Sequence, residues 1–313
     1  MSNLNSKSPP ETIQNRKSEI QNLPIGIFDS GVGGLTVYRA LHEQLPNERF
    51  VYLGDTARVP YGTKSLATVE RYAIENSEFL AARGIKILVV ACNTASALAL
   101  PKIRERIGVE VVGVIGPGAR RAVEITKEKP NPKIGVIATE ATVASRAYAN
   151  AIRRASSRAE VYQKACPLFV ALAEEDWRDE PETLSIAKKY LEKIVEANVD
   201  ALVLGCTHYP ILREVIKQIV GANVTLIDSG EATAGEVQQL LKDKNLANDN
   251  PHPRETTRRL CDDLDHFYVT DAAERFARVA ERFLGVKPAK LEAIEVFGQD
   301  RLKGKSVKAF DEI

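Results

Sequence analysis

The chain has 313 residues, enough for two domains that each bury a core. Its 43 Lys and Arg against 42 Asp and Glu leave a net charge of +1, so no overall field draws it to nucleic acid or to an acidic membrane. Four cysteines without a CxxC pair, no secretory signal and no run of eighteen apolar residues point to a reduced, soluble, cytoplasmic protein.

Residues 1–23 are polar, mix both charges and read as a flexible tail. Strands are expected at 25–31, 49–55, 85–93, 110–116, 133–142, 159–165, 200–206 and 223–228. Between and after them, helical patterns fall at 34–45, 65–83, 96–107, 118–128, 142–154, 181–198, 210–220, 231–243 and 271–284. This alternation predicts an α/β fold with mostly parallel sheets covered by helices. An exposed loop is expected over 246–259, rich in Asn, Pro, Asp and Arg, and a charged C-terminal extension over 289–313.

Two repeats suggest two pseudo-symmetric α/β domains. LVVACNT and LVLGCTH each end an apolar strand in a cysteine, Cys92 and Cys206, while IFDSG and LIDSG each end a strand in Asp-Ser-Gly. The first domain is expected to take 24–116 plus 229–288 and the second 117–228, with crossings near Pro117 and Asp228 and the site between them.

The paired cysteines carry most of the chemistry. A parallel strand delivers the residue after it to the carboxyl edge of the sheet, where such folds bind ligands. Helices starting just after both strands would favour thiolates, lowering a thiol from about 8.5 toward neutral. Two sulfurs on separate domains suit proton removal from one face of a carbon and delivery to the other. Cys166 and Cys261 lack this context and read as buried structural thiols.

Asp29, before Ser30 and Gly31, is expected to orient or assist one thiol, and His208, two residues after Cys206, to hold or relay the proton of the other. The glycines at 31, 33 and 34 do not make a dinucleotide loop, because Thr36 stands where the third glycine belongs and Asp29 would repel a pyrophosphate. No GK[ST] supports a P-loop, and no histidine pair has zinc spacing, so no metal is expected. The polar loop GDTARVPYG at 54–62 invites a binding role. Glu174 and Glu175 follow an apolar run, and sequence does not decide which of them faces a site.

Taken in order, IGIFDSGVGGLTV, YLGDTARVPYG, VVACNTASA, IGVIATEATV, CPLFV, LVLGCTHYP, LIDSG and FYVTDAAERFARVAERFLG resemble the glutamate racemases over about Ile25 to Gly285. The resemblance implies a cofactor-independent exchange of L- and D-glutamate that supplies D-glutamate for peptidoglycan, with glutamate enclosed between two α/β domains. It implies Cys92 acting on D-glutamate with support from Asp29, and Cys206 acting on L-glutamate with support from His208. Glutamate contacts would come from Asp29, Ser30, Tyr61, Gly62, Asn93, Thr94, Thr207 and His208, with Glu174 at the edge of the site. A UDP-linked muramoyl-alanine activator and a homodimer are the further partners it admits. Ala171 and Gly116 depart from the family pattern at positions that move no proton. The neighbouring reading is aspartate racemase, and the reading from another class is a binding module that has kept the shape. Intact Asp29, Cys92, Cys206 and His208 favour the enzyme.

Overall fold

The computed structural model describes residues 18–248 and 259–296. In chain order the strands are β1 (Ile25–Asp29), β2 (Phe50–Gly54), β3 (Ile87–Val90), β4 (Glu110–Gly113), β5 (Lys133–Ala138), β6 (Glu160–Ala165), β7 (Ala201–Gly205), β8 (Thr225–Asp228), β9 (His266–Val269) and β10 (Leu291–Ala293). They form two sheets, ordered β10-β9-β2-β1-β3-β4 and β6-β5-β7-β8, and every pairing is parallel. Their central strands are largely apolar and wholly buried, as expected where helices cover both faces. Edge strand β6 keeps a half-exposed pattern.

The two sheets share one topology. In the first, the chain moves outward from β1 to β2 and then returns to the other side of β1 with β3; in the second, β5, β6 and β7 repeat the move. Each sheet therefore has a switch point, between β1 and β3 and between β5 and β7, where the loops leaving the carboxyl ends diverge and open a crevice. Strand β3 leads into Cys92 and β7 into Cys206, so the cysteine repeat is a true equivalence of the two lobes built on these sheets.

The Asp-Ser-Gly repeat is not. Asp29 ends β1, whereas Asp228 ends the edge strand β8, which corresponds to β4. Asp228 is an N-cap: its carboxylate accepts from Gly230 N–H at 2.7 Å and starts the helix Ser229–Asp243. That helix packs on Leu35–Gln44 of the first lobe and also on the helix Ile115–Ile125.

Strands β9 and β10 were not expected. Residues 291–293, assigned by sequence to the C-terminal extension, pair with β9 and extend the first sheet. Residues 18–21, inside the expected tail, are helical. The segment read as one helix over 96–107 is two, Asn93–Leu98 and Leu100–Arg106, because Pro101 supplies no N–H to continue the first. The pattern at 142–154 also divides, into Glu140–Ala144 and Ala147–Ala155, around Arg146 in the left-handed region at φ 57°. Most of the loop expected at 246–259, the tail over 1–17 and the extension beyond 296 lie outside the described residues.

Candidate active site

Register brings Ser30 to Cys92. Phe28 pairs with Val90, so two residues further along both strands the serine and the cysteine stand side by side, and the Cys92 thiol donates to Ser30 Oγ at 3.4 Å. Cys92 is also the N-cap of Asn93–Leu98, its sulfur accepting from Ala95 N–H at 3.5 Å. Asp29 is fully buried; Oδ2 accepts from Gly31 N–H at 2.9 Å, while Oδ1 has no hydrogen-bond partner among the described residues. Burial pushes the Asp29 carboxyl above its ordinary value, against the charge of His208 and three backbone amides.

The thiol of Cys92 departs from the sequence expectation. Burial first and Asp29 second push it up to about 12, outweighing Ser30 and the Ala95 amide that stabilise the thiolate. One helix terminus contributes only about 0.3–1 kcal/mol to such a charge, too little to offset the desolvation of a buried sulfur. At neutral pH Cys92 is a protonated thiol.

Cys206 is built differently. No α-helix begins beside it; the chain makes a single 3₁₀ turn over Tyr209–Leu212 before the helix Arg213–Val220. Its sulfur lies 3.8 Å from His208 Nδ1, and His208 Nε2 lies 3.1 Å from Glu174 Oε1. Burial pulls the imidazole down, but Cys206 and Glu174 on its two sides prevail and raise it to about 10. Glu174 in turn sits below its ordinary value: His208 and Arg275 outweigh its burial. The imidazole is thus an imidazolium at neutral pH, with one N–H turned to the sulfur and one to the carboxylate.

Contacts between the lobes frame the two sulfurs. Asn93 Oδ1 accepts from Tyr148 Oη at 2.7 Å and its Nδ2 reaches Ser229 Oγ at 3.5 Å. Thr94 Oγ1 lies 3.0 Å from Thr139 Oγ1 and 3.3 Å from Thr142 Oγ1. Thr36 Oγ1 donates to the Thr207 carbonyl at 2.8 Å. Gly33 is required here, since a Cβ would stand 2.3 Å from Thr207 Oγ1 and 2.5 Å from the His208 ring. At Gly62 a Cβ would meet that of Thr139 at 2.9 Å.

Of the residues singled out from sequence, Asp29, Ser30, Asn93 and Thr94 gather around Cys92, and Thr207, His208 and Glu174 around Cys206. Glu175 is exposed, which separates it from Glu174. The Tyr61 hydroxyl is held inside the first lobe: it donates to Asp55 and accepts from Asn76 Nδ2 at 3.0 Å, in a buried network with Arg58 and Glu75. Among the described residues no three or more His, Cys, Asp or Glu converge to hold a metal ion, and no helix is long and apolar enough to cross a membrane. Sequence reading missed Thr139, although it directly follows β5 at the second switch point and the strand-end rule applied to the cysteines points to it equally. It also missed Tyr148, Thr36 and Arg275, which arrive from distant segments and carry no local signal.

A profile of the Asp/Glu/Hydantoin racemase family matches residues 25–237. The glutamate racemase of Geobacter metallireducens is 51% identical over 263 residues, 84% of this chain and 93% of that one. The glutamate racemase of Francisella tularensis, solved with D-glutamate, superposes with a TM-score of 0.79 at 38% identity over 88% of this chain and 98% of its own. The Escherichia coli glutamate racemase, solved with L-glutamate and the activator UDP-MurNAc-Ala, gives 0.69 at 29% identity over 88% and 100%.

Proposed function

The chain belongs to the Asp/Glu/Hydantoin racemase family and interconverts L- and D-glutamate, the D-isomer serving cell-wall synthesis, and on that premise we propose that Cys92 and Cys206 are the two groups that move the Cα proton. The observation that supports this most strongly is their equivalence in the topology combined with opposite surroundings: a protonated thiol beside Asp29 and a sulfur beside an imidazolium. Starting from L-glutamate, the Cys206 thiolate takes the Cα proton and becomes a thiol. The electron pair left on Cα spreads into the adjacent carboxylate, and Cys92 delivers its own proton to the opposite face, leaving Cys92 as the thiolate. The reverse reaction starts from that second state.

The developing charge needs preorganised donors. Ser30, Thr94 and Thr207 with the amides at the start of Asn93–Leu98 are assigned to it, and no Arg or Lys among these segments takes the role. Tyr61 and Gly62 contribute through their backbone, because the Tyr61 hydroxyl is already committed to Asp55 and Asn76. Asp29 positions Cys92; burial raises its carboxyl above the ordinary value, and its charge beside the sulfur favours the protonated thiol. Two thiols form a complete acid–base set for this step, so no electron flow is routed through a cofactor.

The lobes are assigned crossings near Pro117, in the first turn of the helix Ile115–Ile125, and near Asp228. A cytoplasmic location, a homodimer and a response to a UDP-linked muramoyl-alanine activator complete the proposal; the last draws on the E. coli relative alone. Circular dichroism with each enantiomer of glutamate and of aspartate tests the reading. Racemisation of both glutamate enantiomers is expected, with loss in Cys92→Ala and in Cys206→Ala. Full activity in either variant, or faster turnover of aspartate, would overturn it.

A further inference from the structure

The carboxylate that holds His208 is itself held from the other lobe. Glu174 ends the helix Leu168–Glu174 of the second lobe, with Oε1 on His208. Its Oε2 accepts from Arg275 Nη2 at 3.0 Å, and its main-chain carbonyl accepts from Arg282 Nη1 at 2.6 Å. Both arginines sit on the helix Ala273–Leu284, seven residues and so about two turns apart on one face. That helix belongs to the first lobe: it packs on Leu35–Gln44 and β10, and its Phe283 carbonyl accepts from Arg39. Its C-terminus is fixed by Gly285, in the left-handed region at φ 77°. Phe283 also meets the His208 ring edge-on, with centroids 6.0 Å apart.

A carboxylate bonded through one oxygen alone can rotate off its partner. With Arg275 on the second oxygen and Arg282 on the carbonyl, Glu174 has one orientation left, and that orientation faces His208. Both cysteines are about 6% exposed, so glutamate enters only when the lobes part. Opening carries the two arginines away with the first lobe. We propose that Arg275 and Arg282 are positioning residues for the Cys206 half-site, clamping Glu174 across the lobe interface so that His208 is aligned on the sulfur when the cleft is closed. The inference rests on the assignment of Cys206 and His208 to proton transfer. The partners given above for the Cys92 sulfur, Ser30 and Ala95, come from the first lobe alone, so the clamp acts on one half of the reaction.

Enantiomers have equal free energy, so kcat/KM must be the same in both directions for every variant, and a rate alone cannot show which half is affected. The primary isotope effect can. A deuterium at Cα of L-glutamate is taken by Cys206, and one at Cα of D-glutamate by Cys92. Arg275→Met is expected to lower kcat/KM about two- to fivefold, the range open to an exposed ion pair. It should raise the isotope effect on kcat/KM for L-glutamate and suppress it for D-glutamate, with Arg282→Met acting in the same sense and Arg275→Lys restoring the wild-type pattern. Equal isotope effects to wild type in both arginine variants, whatever the rate, overturn the clamp. His208→Asn measured alongside separates the two claims: if it shifts the pattern and the arginine variants do not, only the clamp fails, and if it too leaves the pattern unchanged, the assignment of the Cys206 half-site fails with it.

Discussion

Cys92 stands at a helix N-terminus and takes an amide hydrogen bond, whereas Cys206 opens a 3₁₀ turn and takes its partner from a side chain. The strands that carry them are equivalent, so the fold explains where the sulfurs are. Their neighbours explain the protons. Beside Cys92 burial and a carboxyl group keep the proton on sulfur; beside Cys206 an imidazolium, itself anchored by Glu174, offers a counter-charge. A symmetric scaffold thus holds an asymmetric pair, and a two-base exchange requires that asymmetry, since two thiols or two thiolates would leave the reaction without a base or without an acid.

Removing the sulfurs tests the pairing most severely. Cys92→Ala and Cys206→Ala should each lower kcat/KM by about 10²–10⁴-fold, the usual worth of a general acid or base, because both directions need both groups. Unequal losses, with one variant near wild type, would break the comparison.

The pH response should set the halves apart. His208 has its folded value raised to about 10, so the stabilisation from its imidazolium is complete below the unfolded histidine range near 6.5 and is lost as pH climbs through about 10. Urea midpoints of wild type and His208→Gln should therefore differ at pH 6 and converge above about pH 10. A difference that persists there would locate the effect in packing.

Close approach of the lobes is tested at Gly33, where a methyl group would collide with Thr207 and the His208 ring. Gly33→Ala should lower stability by about 1–3 kcal/mol, as overpacking does, and lower kcat/KM with it, with the helical circular dichroism of the chain retained. Unchanged kinetics would mean that Gly33 does not set the spacing. The smallest catalytic effect is expected at Tyr61. Tyr61→Phe leaves Asp55 and Asn76 short of a partner and should lower stability by about 1–3 kcal/mol in a denaturant titration, while kcat falls little. A large fall in kcat with stability intact would return the hydroxyl to the substrate.

Eight strands and both strand-end cysteines were legible because apolar runs that stop abruptly at polar residues are local signals. Strand β9, HFYV, is only four residues and follows an acidic stretch, and β10 is a three-residue edge strand, so neither builds a pattern. The Asp-Ser-Gly echo misled for the opposite reason: the same three residues end a strand in both places, but at 29 they face the switch point and at 228 they cap a helix. The thiol of Cys92 was misjudged because burial, which decides it, comes from packing against segments distant in sequence, such as Phe28, Leu53 and Tyr61, and the strand-end pattern carries no sign of it. Glu174 could not be told from Glu175 until His208 and Arg275 were seen on it, and those contacts span 34 and 101 residues of chain.

The claim that two thiols work from opposite faces is tested most directly by running L-glutamate in D₂O and reading Cα deuterium in both enantiomers at early conversion. The account predicts deuterium in the D-glutamate formed while the remaining L-glutamate keeps its protium. Deuterium entering both enantiomers at equal rates would point to one base serving both faces and would contradict it.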